Sequence, residues 1–184
     1  MTDKFCISTV NKHRFDPTKP TADDIDINDI AHALSMMTRA NGHFTEFYSV
    51  ARHSINCQKE AQCRGYSYKV QLICLMHDSA EGYIGDMTRP LKIHLPQFSE
   101  YEKNLQRIIF RKYVTTDVTP EEIEMVKSVD DSLLYHEFLY YHGDKLLGFT
   151  PIINVDVADN SKDIAETKEE FLKIYKEIKE LWKV

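Results

Sequence analysis

The sequence predicts an all-α fold, on three observations. Apolar residues recur at three- and four-residue spacing through most of the chain, the period of a single helix face. Helix signals bracket those stretches: Gly42, Gly65 and Gly85 close them, and Thr119-Pro120 followed by Glu122 opens one. Strand-like alternation is nearly confined to "ISTVNKHRF". Together these give a bundle of about six helices with a short extended N-terminal arm, in one domain over residues 1–184.

The elements follow in order. Residues 1–23 read as the extended arm, with "ISTVNKHRF" as a short strand or hairpin before the turn between Pro17 and Pro20. From Asp26 the pattern is helical: Ile27, Ile30, Ala31, Leu34 and Met37 or Thr38 share a face, and "RANGH" ends it at Gly42. A second helix is expected over 48–63, stopped by Gly65, and a third over 68–83, stopped by Gly85. A fourth begins at Pro96, where Ser99 and Glu102 have capping-box spacing. The fifth opens at Thr119, Pro120 and Glu122 and runs through "LLYHEFLYYH". Residues 143–160, with Gly148 and Pro151, have no helical period and read as a loop; a last amphipathic helix is expected over 161–182.

Composition narrows the function. Of 184 residues, 42% are hydrophobic and 28% charged, as in globular proteins that fold in water. No apolar run approaches the ~20 residues of a membrane-spanning helix. The segment "MTDKFCISTV" lacks the basic start and apolar stretch of a signal peptide, so a cytoplasmic location is expected. The net charge of −6, with no basic stripe, disfavours duplex nucleic acid but leaves room for a small phosphorylated ligand. The cysteines Cys6, Cys57, Cys63 and Cys74 form no C-x-x-C pair and read as reduced thiols; Cys57 and Cys74 sit in apolar helical settings as small hydrophobes.

Against this background, several polar residues stand on apolar faces. In "LMHDSAEGYIGD", Val70, Ile73, Cys74, His77, Glu81 and Ile84 share one face, and Asp78 is close enough to point into the same pocket. On the preceding helix His53 shares a face with Val50, Cys57 and Ala61; on the fifth, Asp130 stands among Val126, Val129 and Leu133. A buried unpaired carboxylate costs several kcal/mol, so a cation, a metal or a tight hydrogen-bond network must accompany these groups. One histidine on an apolar face is usually a satisfied core residue. Three helices that each deliver a ligand-type side chain point instead to a divalent metal held by His53, His77, Asp78 and Asp130. Two imidazoles and two carboxylates suit an ion of intermediate hardness: Mn²⁺, Co²⁺, Fe²⁺ or Zn²⁺, with Mg²⁺ also admitted. Glu81 and Asp86 are then candidates to orient a water or move protons. Among the other histidines, His13, His94 and His142 read as surface or loop residues, His32 as lying on the polar side of its helix, and His136 as structural. His43, in "NGHF", is near the site in sequence and is kept as a substrate-binding candidate.

The order His53, then His77-Asp78, then Asp130 resembles the HD-domain metal-dependent phosphohydrolases. "HDSAEGYIGDMTRPLK" is similar to the segment H-D-A-x-E-x-x-x-G-D-x-x-x-P-x-K of the bacterial 5′-deoxynucleotidase group. "DIAHALSMMTRANGHFTEFYSVARHS" and "VKSVDDS" resemble other parts of its compact bacterial and phage branch, so the likeness covers roughly residues 7–140. It implies one catalytic divalent metal on the four residues named, hydrolysis of nucleotide phosphate esters, support from Glu81 and Asp86, and phosphate contact by Arg39. A guanidinium suits that contact because it grips phosphate with two nitrogens. Arg89 and Lys92, in "TRPLK", are further phosphate-binding candidates. One departure concerns the sugar and base pocket: the group commonly has an aromatic residue after the arginine, and this chain has Ala40.

The expected activity is therefore metal-dependent release of phosphate from deoxynucleoside monophosphates. The branch also implies an alternative, hydrolysis of deoxynucleoside triphosphates to nucleoside and triphosphate. A rival of another class is a non-catalytic HD-fold protein that binds a nucleotide. The resemblance further admits a homodimer, for which "LLYHEFLYYH" offers rings, although those rings could equally pack within the monomer.

Overall fold

A computed structural model describes residues 6–159 and 162–182 of the chain. Two two-residue strands, β1 (Ile7–Ser8) and β2 (Arg14–Phe15), form an antiparallel hairpin with Ile7 opposite Phe15, as the arm's alternation predicts. The rest is helical: α1 (Ile27–Met36), α2 (Val50–Cys63), α3 (Tyr68–Met76), α4 (Glu81–Ile84), α5 (Arg89–Lys92), α6 (Pro96–Tyr113), α7 (Pro120–Tyr141) and α8 (Ile164–Leu181). Six of these have nine residues or more, and α4 and α5 are single turns of four. The all-α class holds. No helix among the described residues is long and apolar enough to cross a membrane.

Side-chain caps account for most helix starts. Asp26 accepts from the Asn28 and Asp29 amides, Ser49 from Arg52 N–H and Ser67 from Val70 N–H. Thr119 and Glu122 close the predicted box at α7; Asp163 and Glu166 close another at α8. The predicted start of the last helix at 161 lies outside the described residues. The box expected at Ser99 and Glu102 does not form. Pro96 already begins α6, so Ser99 lies inside the helix, its amide donating to Leu95 O at 3.2 Å, and Glu102 pairs with Lys92 instead.

The helix predicted over 68–83 is broken. Its α-helical bond from Ala80 N–H to Met76 O is replaced by the side-chain amide of Gln106. Gln106 Nε2 donates to Met76 O at 2.7 Å, and Ala80 N–H donates to Gln106 Oε1 at 3.0 Å. A side chain inserted into the helical ladder kinks it without leaving its polar groups unpaired. Residues 77–80 become a turn, and α4 ends at Gly85, whose φ of +86° suits glycine.

The centre of the bundle is α2, which packs on α1, α3, α7 and α8. Ile55, Leu72, Leu75, Ile109, Leu133 and Phe171 are all fully buried in the apolar core around it. Most of the "LLYHEFLYYH" run is spent inside the chain: Tyr135 and Tyr141 are buried, and Tyr141 stacks on Phe44 with centroids 5.2 Å apart. Tyr140 remains exposed.

Candidate metal centre

The break at 77–80 turns His77 and Asp78 toward α2 and α7. His53 Nε2 lies 3.3 Å from His77 Nε2 and 3.1 Å from Asp130 Oδ1. Asp78 Oδ2 is 3.3 Å from His77 Nε2 and 3.9 Å from His53 Nε2, and His77 Nε2 is 3.8 Å from Asp130 Oδ1. The structure thus brings together His53, His77, Asp78 and Asp130.

The outer ring nitrogens fix the chemistry of the inner ones. His77 Nδ1 meets the carbonyl oxygen of Cys74 at 2.8 Å, and His53 Nδ1 meets Glu137 Oε1 at 2.6 Å. Burial would raise the Glu137 carboxyl, but His53 and Arg39 outweigh it and hold it below the usual range. Both partners therefore accept only, so each Nδ1 carries a hydrogen and each ring, in its neutral form, directs its Nε2 lone pair inward. Two lone pairs at 3.3 Å, flanked by carboxylates, repel unless positive charge sits among them. Protons respond to the same field. Burial would lower His77, yet Asp78 and Asp130 push it up to about 9. Burial and Arg39 would lower His53, but Glu137 and Asp130 raise it. Burial would raise Asp130, and the two imidazoles hold it well below the carboxylate range.

This donor set fits a divalent ion. Ligands about 2.1 Å from one ion, at right or tetrahedral angles, lie roughly 3.0–3.4 Å apart, close to the shorter separations here. Buried Cys57, one turn after His53, adds a sulfur 3.4 Å from His53 Nε2. The ligand atoms of His53, Cys57, His77 and Asp130 all lie within 4.8 Å of one another. Burial, then Asp130 and Cys74, push the Cys57 thiol well up, so in the metal-free centre it keeps its proton.

Around the donors stands a polar shell. Glu137 is fully buried on α7; besides His53 it accepts from Tyr48 OH at 3.0 Å, which in turn accepts from Asn56 Nδ2 at 2.9 Å. Arg39 lies in a tight turn after α1, where Ala40 and Asn41 have φ of +51° and the Arg39 amide donates to Tyr48 O at 2.9 Å. Its Nη1 is 3.4 Å from Asp78 Oδ2, and its Nε is 3.2 Å from Glu137 Oε2, an ion pair without hydrogen-bond alignment. Burial opposes the charge of Arg39, but Glu137, Asp78 and Asp130 hold it protonated. Glu81, at the start of α4, is buried with Oε2 unpartnered. Burial, then Asp78 and Asp86, push its carboxyl well above the usual range. Asp86 is half-buried and also raised, by burial first, with Asp78 adding and Arg39 opposing.

Other sequence-predicted residues are placed differently. Lys92 lines the cleft beside His77, Asp78 and Glu81, but its ammonium is bound to Glu102 at 2.6 Å. Arg89 is exposed and faces Asp131 at 3.6 Å; His43 is exposed at the end of the Arg39 turn. Neither Arg89 nor His43 is drawn into the centre by any contact among the described residues. The sequence reading missed Glu137, Cys57 as a possible donor, and Gln106. A cleft of about 730 Å³ opens beside His77, Asp78 and Glu81 and runs along α6 past Gln106 and Phe110.

No family model matches the chain. Over 107 residues it is 37% identical to the uncharacterized protein YfdR of Escherichia coli K12, a match covering 58% of this chain and 57% of that protein. Over 124 residues it is 34% identical to the uncharacterized protein RCAP_rcc00048 of Rhodobacter capsulatus, covering 64% of this chain and 63% of that one. The chain thus spans 57% and 63% of the length of these two curated relatives.

Proposed function

We propose that the chain is a metal-dependent phosphohydrolase of the HD-domain type that cleaves phosphate esters of nucleotides. The observation that carries the reading is the facing pair of His53 and His77 Nε2 atoms, 3.3 Å apart between Asp78 and Asp130, an arrangement that calls for positive charge at its centre, from protons in the metal-free protein or from a divalent ion. A structural core would not gather two outward-anchored imidazoles and two carboxylates when apolar residues would cost less. The arginine and the two raised carboxyls beside it are what phosphate chemistry requires.

A divalent ion held by His53, His77, Asp78 and Asp130 would supply a Lewis acid for the phosphoryl oxygen and make water more acidic. The remaining work falls to the protein. Arg39 spends Nη1 and Nε on Asp78 and Glu137, which leaves Nη2 to meet a phosphate oxygen and offset charge that develops there. Glu81, raised by burial and its acidic neighbours, is poised to take a proton from the attacking water. Asp86, also raised, serves the leaving oxygen. Glu137 keeps the His53 ring in one tautomer and direction.

The test is a phosphate-release panel over deoxy- and ribonucleoside mono- and triphosphates, with chelated protein reloaded with Mn²⁺, Co²⁺, Mg²⁺ or Zn²⁺. The expected result is no turnover after chelation, recovery with at least one ion, and loss of at least 100-fold in Asp78→Ala together with its bound metal. Nucleotide binding without turnover under every ion, undisturbed in Asp78→Ala, would establish the non-catalytic rival instead.

A further inference from the structure

The cleft beside the centre has two chemically different ends. Its inner end is acidic, with Asp78 and Glu81. Its outer wall is formed by α6, which presents Lys103, Arg107 and Arg111 at four-residue spacing along one side. All three are exposed, and none pairs with a carboxylate among the described residues; Arg107 Nη2 donates to the neutral Asn104 Oδ1 at 2.7 Å. Glu102, bound to Lys92, and Asp117 also line the cleft, so its basic character is confined to this row of three unpaired cations. Of the further cations that the sequence offered beside Arg39, Lys92 lines the cleft but is bound to Glu102, and Arg89 faces Asp131.

We propose that Lys103, Arg107 and Arg111 form a distal phosphate site, which holds the part of a nucleoside polyphosphate chain beyond the bond that is cleaved. The proposal rests on the hydrolase reading above and extends it from the reacting phosphate to the substrate as a whole. Eight residues of helix span about 12 Å. A single phosphate at the centre leaves most of that row unused, whereas a chain of several phosphates leads away from the acidic end and along the basic one. The half-buried ring of Phe110 stands between Arg107 and Arg111 in the same wall and narrows the cleft without adding charge. The resemblance in sequence favours a monophosphate; this cleft favours the longer chain.

The experiment separates the site from turnover. Binding of inorganic tripolyphosphate and of orthophosphate to the intact protein is measured by calorimetry at low and high salt. The measurement is repeated for Lys103→Ala/Arg107→Ala/Arg111→Ala and for an equal loss of charge on other exposed faces, Lys145→Ala/Lys173→Ala/Lys176→Ala. The expected result is tripolyphosphate binding that weakens roughly 10- to 100-fold in the α6 variant, weakens with salt, and is unchanged in the control variant. For nucleotides, the ratio of triphosphate to monophosphate kcat/KM should fall at least tenfold in the α6 variant. The idea is overturned by three results: no tripolyphosphate binding, equal weakening in both variants, or an unphosphorylated trinucleotide that outcompetes tripolyphosphate. Because the binding assay needs no turnover, an inactive protein would sink the hydrolase reading while α6-dependent tripolyphosphate binding still upheld the site.

Discussion

Glu137 meets two donors with one carboxylate, His53 Nδ1 through Oε1 and the Arg39 guanidinium through Oε2, in a position fully closed to solvent. Glu137→Gln preserves volume and removes the charge. The amide can still accept from His53 Nδ1, but it no longer favours one ring tautomer or offsets Arg39. Metal affinity should fall about 10- to 100-fold, the usual effect of altering a group that orients a metal-binding histidine, as read by titration calorimetry with Mn²⁺ or Co²⁺. An unchanged affinity would reduce Glu137 to a packing partner of Tyr48. The residue was within reach of the sequence, because Val126, Asp130, Leu133 and Glu137 follow one helical face. It was hidden by its setting in "LLYHEFLYYH", where aromatic neighbours draw attention to packing. Cys57 was hidden differently: it was correctly placed on the face of His53, but a lone thiol in an apolar helix reads as a small hydrophobe until the opposing histidine is seen 3.3 Å from its neighbour. His53, His77, Asp78 and Asp130 were legible because charge on an apolar face is expensive and therefore informative.

Between elements, the decisive contact is Gln106 of α6 reaching into the junction of α3 and α4. Periodicity alone continues the helix from 68 to 83; instead Gln106, 26 residues from Ala80, holds Ala80 N–H and Met76 O, and tighter bonds such as Ser79 N–H to Met76 O and Glu81 N–H to Asp78 O carry the chain through the junction. Local sequence carries no sign of that, whereas Thr119, Pro120 and Glu122 announce α7 from three neighbouring positions. The false box at Ser99 and Glu102 fails for a related reason: spacing alone does not say which residue begins the helix, and Pro96 settles it three residues earlier. In Gln106→Leu the two backbone groups are free to bond to each other, so the helix should close across 77–80 and rotate His77 and Asp78 away from His53. The expected outcome is a cooperatively melting protein with equal or greater helicity by circular dichroism and metal affinity at least tenfold lower. Metal affinity equal to that of the parent would mean that the break is held by other contacts.

At the scale of the molecule, the bundle is an arrangement for making like groups meet. Helices α2 and α7, the 77–80 turn and the turn after α1 all direct polar side chains to one point, and apolar packing around α2 supplies the free energy that holds them there. The fold was the most legible part of the sequence because every long helix carries its own periodicity. The convergence was legible only as a list of misplaced polar groups, since which faces meet is a property of the packed bundle. The same convergence makes stability depend on metal. An ion that binds the folded centre and not the unfolded chain adds about 2.7 kcal/mol at a free concentration one hundred times its Kd. For a chain of this size each kcal/mol moves Tm by roughly 2–4 °C, so a shift of about 5–10 °C is expected on adding Mn²⁺, Co²⁺ or Zn²⁺ to chelated protein. His77→Ala should abolish most of that shift, and at neutral pH it should also lower the Tm of the metal-free protein, because the imidazolium that Asp78 and Asp130 stabilise is gone. Differential scanning calorimetry of the two proteins, with and without ion, decides the matter: equal metal-induced shifts in both would place the bound cation elsewhere on the chain and remove the physical basis for the hydrolase reading.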